Sequence, residues 1–471
     1  MFKLSQKNYF VEKKLNIFTF ITIIFFGFFL RFYNLDFDNF WIDETITFWV
    51  GNPEFSISQS FIYHKSIEQV PFLFNFIIKI YFQTFGYDFQ ISRYLPALLS
   101  SLSIISVSFI NKEISNDKSY IFSSILITIN IYLISYAQEL RLYSTLFFFV
   151  SITIYFYFKF ENQKKIIFFY FYNIFLLLTC LIHPFGLIIY FALIISELKF
   201  FQKNDKSNFK KIGVYLFLSL IMLIYYFLQF NKSYLTPIWI ETIDIKFFTN
   251  LFFSNFFGSR IMGLIYLVTF LILILKFFKT FNKNKKLFFL LSIFILSYFL
   301  PLFYGVLFKP ILIPRYIIFV IIPVVVIISY FVFQLEKFKR NLVLTFFILI
   351  TFLNLTTEQT FKQFYKERIS YKHDFEGALK KISTSKINNY SISINIEQKK
   401  LSKSWESSIK NYTNFISKKN NFNILNLPYS DELKNSWVIC IHDLNKNECD
   451  QIFSTRLKTV KLNRIDLIKI P

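Results

Sequence analysis

Apolar residues run almost without a break from Leu15 to Phe32 and return in long blocks as far as about Thr357. The blocks are continuous and lack the one-in-two alternation of half-buried strands, so they predict helices. Segments of this length and character fit a bilayer, where only helices and closed barrels satisfy their own backbone groups. The spans fall near 15–33, 91–110, 119–136, 143–158, 166–182, 184–200, 212–230, 261–279, 287–308, 316–333 and 341–357, about eleven in all. The segment from Pro71 to Phe85 is apolar but short. Gln69, Asn75, Lys79 and Gln83 recur along it at roughly helical spacing, which predicts an amphipathic helix lying in the membrane interface.

Beyond Thr357 the pattern changes. Short apolar or alternating runs, Tyr390 to Ile396, Phe422 to Leu427, Trp437 to Ile441 and Thr459 to Ile470, are separated by polar helical stretches such as Phe375 to Ile382 and Lys403 to Ile416. Strands interleaved with helices predict a small α/β domain. The expected division is a transmembrane domain over 1–357 and a soluble domain over 358–471.

Composition agrees with the pattern. The 471 residues are 54% hydrophobic and 17% charged, against about 25% charged in soluble domains. The net charge of +23 raises the question of nucleic acid, but its distribution argues against that partner. Lys3, Lys7, Lys13 and Lys14 precede the first span. Further basic groups gather at 112–118, 159–165, 199–211, 276–286 and 337–340, in every second short loop. This is the positive-inside pattern, and it places the N-terminus in the cytoplasm. An odd span count then puts the terminal domain outside. The first apolar run has no small-residue cleavage site after it and reads as a retained helix. The chain reads as an integral membrane protein, most simply of a bacterial inner membrane, with the loop after the first span facing the periplasm or exterior. Of the three cysteines, Cys180 lies inside a span. Cys440 and Cys449 lie where an oxidising compartment permits a disulfide. With 9 glycines the chain has little material for a Gly-rich phosphate loop, and no metal-ligand cluster stands out. No cofactor is expected; a divalent cation shared by a carboxylate and a substrate phosphate stays open.

Candidate chemistry sits at one membrane edge. Asp43 and Glu44 follow the first span, flanked by Phe40, Trp41, Phe48 and Trp49. Aromatic residues favour the interface, and a carboxylate held there can serve as a general base toward a substrate arriving from the lipid. Three more short loops on that side carry polar groups: Gln138, Arg141 and Tyr143; His183; Arg315 and Tyr316. Each has a plain structural reading as well. The acidic pair can be a solvated loop, Glu139 can pair with Arg141, His183 can cap a helix, and Arg315 can anchor at the interface. Their convergence suits transfer from a phosphate leaving group, with the acid taking a proton and arginine neutralising the phosphate.

The order of short motifs adds a resemblance. Arg31-Phe32-Tyr33-Asn34-Leu35, Phe40-Trp41-Ile42-Asp43-Glu44, Val70-Pro71, Phe85-Gly86, Ser92-Arg93-Tyr94-Leu95-Pro96-Ala97 and Gln138-Glu139-Leu140-Arg141-Leu142-Tyr143 follow one another. His183-Pro184-Phe185-Gly186, Pro314-Arg315-Tyr316 and His373-Asp374-Phe375-Glu376-Gly377-Ala378 extend the series. The set resembles the bacterial membrane glycosyltransferases of the GT-C type. These are relatives of the protein mannosyltransferases and the aminoarabinose lipid A transferase, and they include a group like the lipopolysaccharide-core galacturonosyltransferases. The resemblance implies a sugar taken from a polyprenyl-phosphate carrier on the non-cytoplasmic face and passed to a lipid, glycan or protein hydroxyl. The family's catalytic aspartate matches Asp43, beside Glu44. Arg141 and Arg315 would hold the lipid phosphate, with Gln138, Tyr143, His183 and Tyr316 shaping the site. Many relatives carry His-Pro-Pro where this chain has Gln69-Val70-Pro71. The competing class is a lipid or glycan transporter, which favours Gly- or Pro-broken helices and charges at the membrane midplane.

Overall fold

The computed structural model describes residues 2–115, 118–201, 206–229, 240, 254–357, 372–394, 399–427, 436–445 and 458–470. The chain folds into two compact units that do not follow chain order. One comprises Met1–Tyr33, Pro96–Gln138 and Leu142–Arg368; the other comprises Asn34–Leu95, Glu139–Arg141 and Ile369–Pro471. The domain boundary expected after 357 borders 358–371, which lie outside the described residues.

The first unit is helical. Phe2–Phe32, Tyr94–Ile114, Tyr143–Gln163, Ile166–Ile182, Leu187–Lys199, Lys206–Gln229, Arg260–Lys276, Lys285–Leu307, Ile321–Val332 and Lys337–Thr357 are helices at the expected spans. Among the described residues, five helices are long and apolar enough to cross a membrane, or six if one bent pair counts as a span. The protein is thus an integral membrane protein, while the expected count of eleven crossings is not established. Ile166–Ile182, for example, is apolar but short.

The bent pair is Ser119–Thr128 and Ile131–Ala137, which meet at 57°. Its break has a local cause. Asn130 caps the second helix, its Oδ1 accepting from the Leu133 N–H at 2.9 Å. The carbonyls freed at the end of the first helix go to the buried Arg31. Its Nη2 donates to Ile127 O at 2.9 Å and its Nη1 to Thr128 O at 3.2 Å, while Nε donates to Ser100 Oγ at 2.9 Å. With a further bond from Nη1 to Gly27 O at 3.2 Å, four of its five N–H groups are met, and a guanidinium can be buried here.

The Lys-rich helix ends of this unit meet one another. Lys285 Nζ lies 2.7 Å from Glu197 and 3.2 Å from Glu161, and Lys286 Nζ donates to Glu113 O at 2.7 Å. The ends carrying Tyr143, His183 and Tyr316 meet separately: the His183 and Tyr316 rings are 4.6 Å apart and the Tyr143 and Tyr316 rings 6.2 Å. Within this unit, some of the loops that the charge pattern assigns to each side are therefore grouped in space.

The second unit joins the segment after the first helix to the tail. A left-handed Asn34 (φ 55°) ends helix Phe2–Phe32, a conformation asparagine tolerates. Three helices follow: Ile42–Val50, Ile57–Ile67 and Leu73–Phe85. Ser56 and Gln59 form a capping box on the second, with bonds of 3.2 and 2.8 Å. Gly51 lets Leu73–Phe85 approach closely, since a Cβ there would sit 3.0 Å from the Phe82 ring. The expected helix after Pro71 is present. Of its polar positions Asn75 and Lys79 are buried, with Lys79 Nζ donating to Asn52 O at 2.7 Å, while Gln69 and Gln83 are exposed.

The tail carries the expected strands around a five-stranded sheet of order β2-β1-β3-β5-β4: β1 Asn389–Ser393, β2 Leu425–Asn426, β3 Ser436–Ile441, β4 Lys458–Leu462 and β5 Ile465–Ile470. β1 pairs parallel with β2 and β3, and β5 pairs antiparallel with β3 and β4. The run from Thr459 to Ile470 is two strands because a hairpin turns at left-handed Arg464 (φ 56°). Helix Lys399–Lys419 packs on Ile42–Val50. Tyr412 stacks on Phe40 at 4.7 Å and its hydroxyl accepts from the Phe40 N–H at 3.0 Å. Cys440 is in a disulfide and Cys180 is a buried free thiol; Cys449 lies outside the described residues.

Candidate active site around Asp43

Asp43 is the second residue of helix Ile42–Val50 and is half-buried. The N-terminal end of a helix favours a carboxylate, because the peptide dipoles add up to a partial positive charge there. Its neighbour Glu44 is in a different situation. Glu44 is fully buried, and its Oε2 accepts from the Trp41 N–H at 2.8 Å, which starts the helix. The same carboxylate takes both Nε and Nη2 of Arg93, at 2.9 and 3.0 Å, Nζ of Lys372 at 2.9 Å, and the Leu140 N–H at 2.7 Å. Burial alone raises the Glu44 pKa. The charges of Arg93 and Lys372, with the hydrogen bonds from Arg93 and Leu140, outweigh burial and hold it at about 2. Glu44 is therefore a permanent anion, in use as a strut.

Arg93 spends its remaining donors on the loop before the helix. Nη1 donates to Leu35 O and Asp38 O at 2.8 and 2.9 Å, and Nη2 to Asn39 O at 3.1 Å. With the two bonds to Glu44, all five guanidinium N–H groups are used. The Phe40 and Phe89 rings flank it at 5.1 and 5.2 Å.

On the other flank of Asp43 stands Arg141. Its Nη1 donates to the Asp43 backbone carbonyl at 2.9 Å, to Thr47 Oγ1 at 3.1 Å and to Glu68 Oε1 at 2.5 Å. Behind Glu68 lies His64, wholly buried, with Nδ1 3.7 Å from Glu68 Oε2. Asn75 Nδ2 meets His64 Nδ1 at 2.8 Å, and His64 Nε2 meets Val70 O at 2.7 Å. An amide donor on Nδ1 requires the tautomer whose Nε2–H donates to Val70. Burial lowers the His64 pKa, against the pull of Glu68 and the Val70 bond. Although Gln69-Val70-Pro71 contains no histidine, an imidazole thus reaches Val70 from five residues before Gln69.

The tail adds a third set. Arg464 lies over the Trp41 ring at 4.6 Å, and His373 meets that ring edge-on at 5.8 Å. His373 Nε2 is 3.0 Å from Asp443, which also takes Arg464 at 3.1 Å.

The remaining sequence-derived candidates belong to the other compact unit. Arg315 lies over the Tyr143 ring at 5.5 Å, beside Tyr316, His183 and Phe185. His183 Nδ1 accepts from the Phe185 N–H at 3.1 Å, so it caps the short 3-10 turn Pro184–Gly186. Gly186 is required there, because a Cβ would fall 2.5 Å from Thr179 O. Gln138 Nε2 donates to Tyr33 O at 3.1 Å and Leu30 O at 3.4 Å, tying down the end of the first helix. The structure thus gathers Asp43, Glu44 and Arg141 in one cluster, and Tyr143, His183, Arg315 and Tyr316 in another.

Known structures place this architecture. ArnT from Cupriavidus metallidurans in the apo state matches with a TM-score of 0.62, covering 96% of this chain and 97% of that chain at 10% identity. The same protein bound to undecaprenyl phosphate gives 0.57 over the same shares, also at 10% identity. The chain has the GT-C fold. The apo oligosaccharyltransferase of Archaeoglobus fulgidus also matches, at 0.56 and 11% identity, covering 90% of this chain and 69% of that chain. Both neighbours are GT-C glycosyltransferases. No protein-family description and no curated protein sequence matches.

A metal was left open by the sequence, and the oligosaccharyltransferase has been crystallised with Zn and sulfate. Here Glu44 and Glu68 are already committed to cations of the protein, which leaves Asp43 as the carboxylate a cation on the substrate phosphate could share. Glu44 is neutralised by Arg93 and Lys372, and Glu68 by Arg141. Among the described residues no group of three or more metal-ligating side chains gathers. Glu68, His64, Arg93 and Lys372 had no assigned role from sequence. Arg93 stands within a quoted motif and Glu68 and Lys372 lie beside one, each with its partner remote in the chain; His64 lies outside the motifs, and its partners Glu68, Val70 and Asn75 are local.

Proposed function

We propose that the protein is a glycosyltransferase that takes a sugar from a polyprenyl-phosphate carrier on the non-cytoplasmic face and passes it to a lipid, glycan or protein hydroxyl. The observation that carries this is the half-buried Asp43 at a helix N-terminus, with Glu44 beside it locked into a buried ion cluster, in a chain of GT-C fold. Asp43 accepts the proton of the acceptor hydroxyl as its oxygen attacks the anomeric carbon. The bond from that carbon to the phosphate oxygen breaks, and the lipid phosphate leaves with the electron pair. Glu44 is a positioning residue. Its charge is committed to Arg93 and Lys372, so it fixes the first turn of the helix and leaves the base role to Asp43. Arg141 holds the Asp43 backbone, backed by Glu68. Arg315, framed by Tyr143, His183 and Tyr316, is assigned the donor phosphate, where a planar fork suits bidentate binding. Gln138 maintains the chain direction into the outer loop. No step needs a cofactor.

Purified protein in liposomes tests the reading. Sugar transfer from a polyprenyl-phosphate-sugar, and none from nucleotide sugars alone, is expected. Transfer from a nucleotide sugar without a lipid carrier would overturn the donor class and the face on which the reaction is placed. Vectorial movement of the lipid without sugar transfer would favour a transporter.

A further inference from the structure

A cavity of about 530 Å³ opens in the helical unit among Glu161, Asn284 and the lysines 279, 283, 285 and 286. None of its lining residues belongs to the Asp43 or Arg315 clusters. Its inner wall is an ion-pair network. Glu161 takes Lys285 at 3.2 Å, Lys164 at 2.9 Å and Lys211 at 3.7 Å, and Glu197 takes Lys285 at 2.7 Å and Lys211 at 3.4 Å. Lys286 donates to Glu113 O at 2.7 Å and to the Asn162 side chain. Lys279 and Lys283 are exposed and form no ion pair among the described residues. Six lysines thus gather around the carboxylates of Glu161 and Glu197 and the Glu113 carbonyl, the Glu113 carboxylate taking Asn162 Nδ2, and a positive surplus remains at the mouth. Two apolar side chains close in sequence to these lysines are exposed as well: Leu275, on helix Arg260–Lys276, is 78% accessible and Phe278, next to Lys279 on the short helix Phe278–Lys283, is 56% accessible.

Cationic groups at a helix-end cavity beside exposed apolar side chains form an amphiphilic site. We propose that this cavity binds the phosphate headgroup of an anionic membrane lipid, with its acyl chains lying along Leu275 and Phe278. A free phosphate shares the headgroup chemistry, but it would leave Leu275 and Phe278 uncovered. The site takes no part in the sugar transfer proposed above and stands apart from it. By the charge pattern it faces the cytoplasmic leaflet, where anionic lipid attracts basic segments.

The test uses the full chain in a zwitterionic detergent, titrated with phosphatidylglycerol, phosphatidylcholine or inorganic phosphate, and read by thermal stability and by lipid retained in native mass spectrometry. Phosphatidylglycerol is expected to be retained and to raise the melting midpoint, with no effect of the other two. The double variant Lys279→Gln/Lys283→Gln should bind phosphatidylglycerol roughly thirty-fold more weakly, from two lysines near a lipid surface. Lys337→Gln/Lys339→Gln, at another basic helix end, should leave binding unchanged. Equal stabilisation by phosphatidylcholine would overturn the headgroup, and an equal effect of inorganic phosphate would overturn the lipid. Unchanged affinity in the first variant, or equal loss in the second, would overturn the site.

Discussion

Two adjacent carboxylates at the start of one short helix have opposite fates, and substitution separates them. Asp43→Asn keeps the shape but cannot accept a proton. Turnover of the purified variant should fall by roughly 10²–10⁴-fold, the range general-base catalysis contributes, with melting temperature and expression unchanged. Wild-type turnover would remove Asp43 from the mechanism. Glu44→Gln should act on stability. It leaves Arg93 and Lys372 buried without their anion, and breaking a buried pair costs about 3–5 kcal/mol. Its melting midpoint should therefore drop well below that of Asp43→Asn; equal midpoints would show that the cluster contributes nothing. Glu44 also sets a pH dependence. Its folded pKa is about 2 against an ordinary 4.5. Its contribution is thus complete above about 4.5 and is lost as pH falls from there through about 2. Acid titration of wild type should show this loss, and Glu44→Gln should flatten it. At this scale the sequence singles out Asp43 and Glu44 as a pair. It could not show which was accessible, because that depends on Arg93 and Lys372, 49 and 328 residues away.

Helices and strands were easier to read than side-chain roles. The strands at 390, 437 and 459 and the long apolar helices follow from hydrophobic period, which is a local property. The polar face of Leu73–Phe85 was read outward because amphipathic helices in an interface expose such residues. Gln69 and Gln83 are exposed, but Asn75 and Lys79 turn inward because His64 and the Asn52 carbonyl supply partners from within the same unit. The break between Ser119–Thr128 and Ile131–Ala137 was missed for a similar reason. No glycine or proline marks it, and the carbonyls it frees are satisfied by Arg31 from another helix. Arg31→Met should therefore loosen this kink. It leaves two buried carbonyls wanting donors, at about 1–3 kcal/mol each. The unfolding midpoint in detergent should fall, and amide exchange at 127–134 should quicken. If neither changes, the kink is held by Asn130 capping alone.

At the scale of the whole molecule, the chain-order division at residue 357 and the compact units tell different stories about the tail. Hydrophobic pattern separates a membrane part from a polar part, and nothing in it reports that 34–95 folds with 369–471. The joining contacts are specific. Lys372 reaches Glu44, Tyr412 stacks on Phe40, Ser404 meets Ser66 at 2.8 Å, and Trp405 packs on the cluster of Ile46, Trp49 and Val50. These contacts bury apolar surface and also complete the ion cluster next to the proposed base, so the tail supports the helix that carries Asp43. A protease site inserted between Thr357 and Lys372 puts this to the test. After cleavage in detergent the two fragments should remain together on size exclusion, with segment 34–95 still protected from proteolysis and turnover retained. Combining the cut with Lys372→Met and Tyr412→Ala removes one charge and one ring from the joint, and the fragments should then separate with exposure of 34–95. A tail that leaves the cleaved wild-type protein while 34–95 stays protected would be an independent module, and the support assigned to Lys372 and Tyr412 would fail with it.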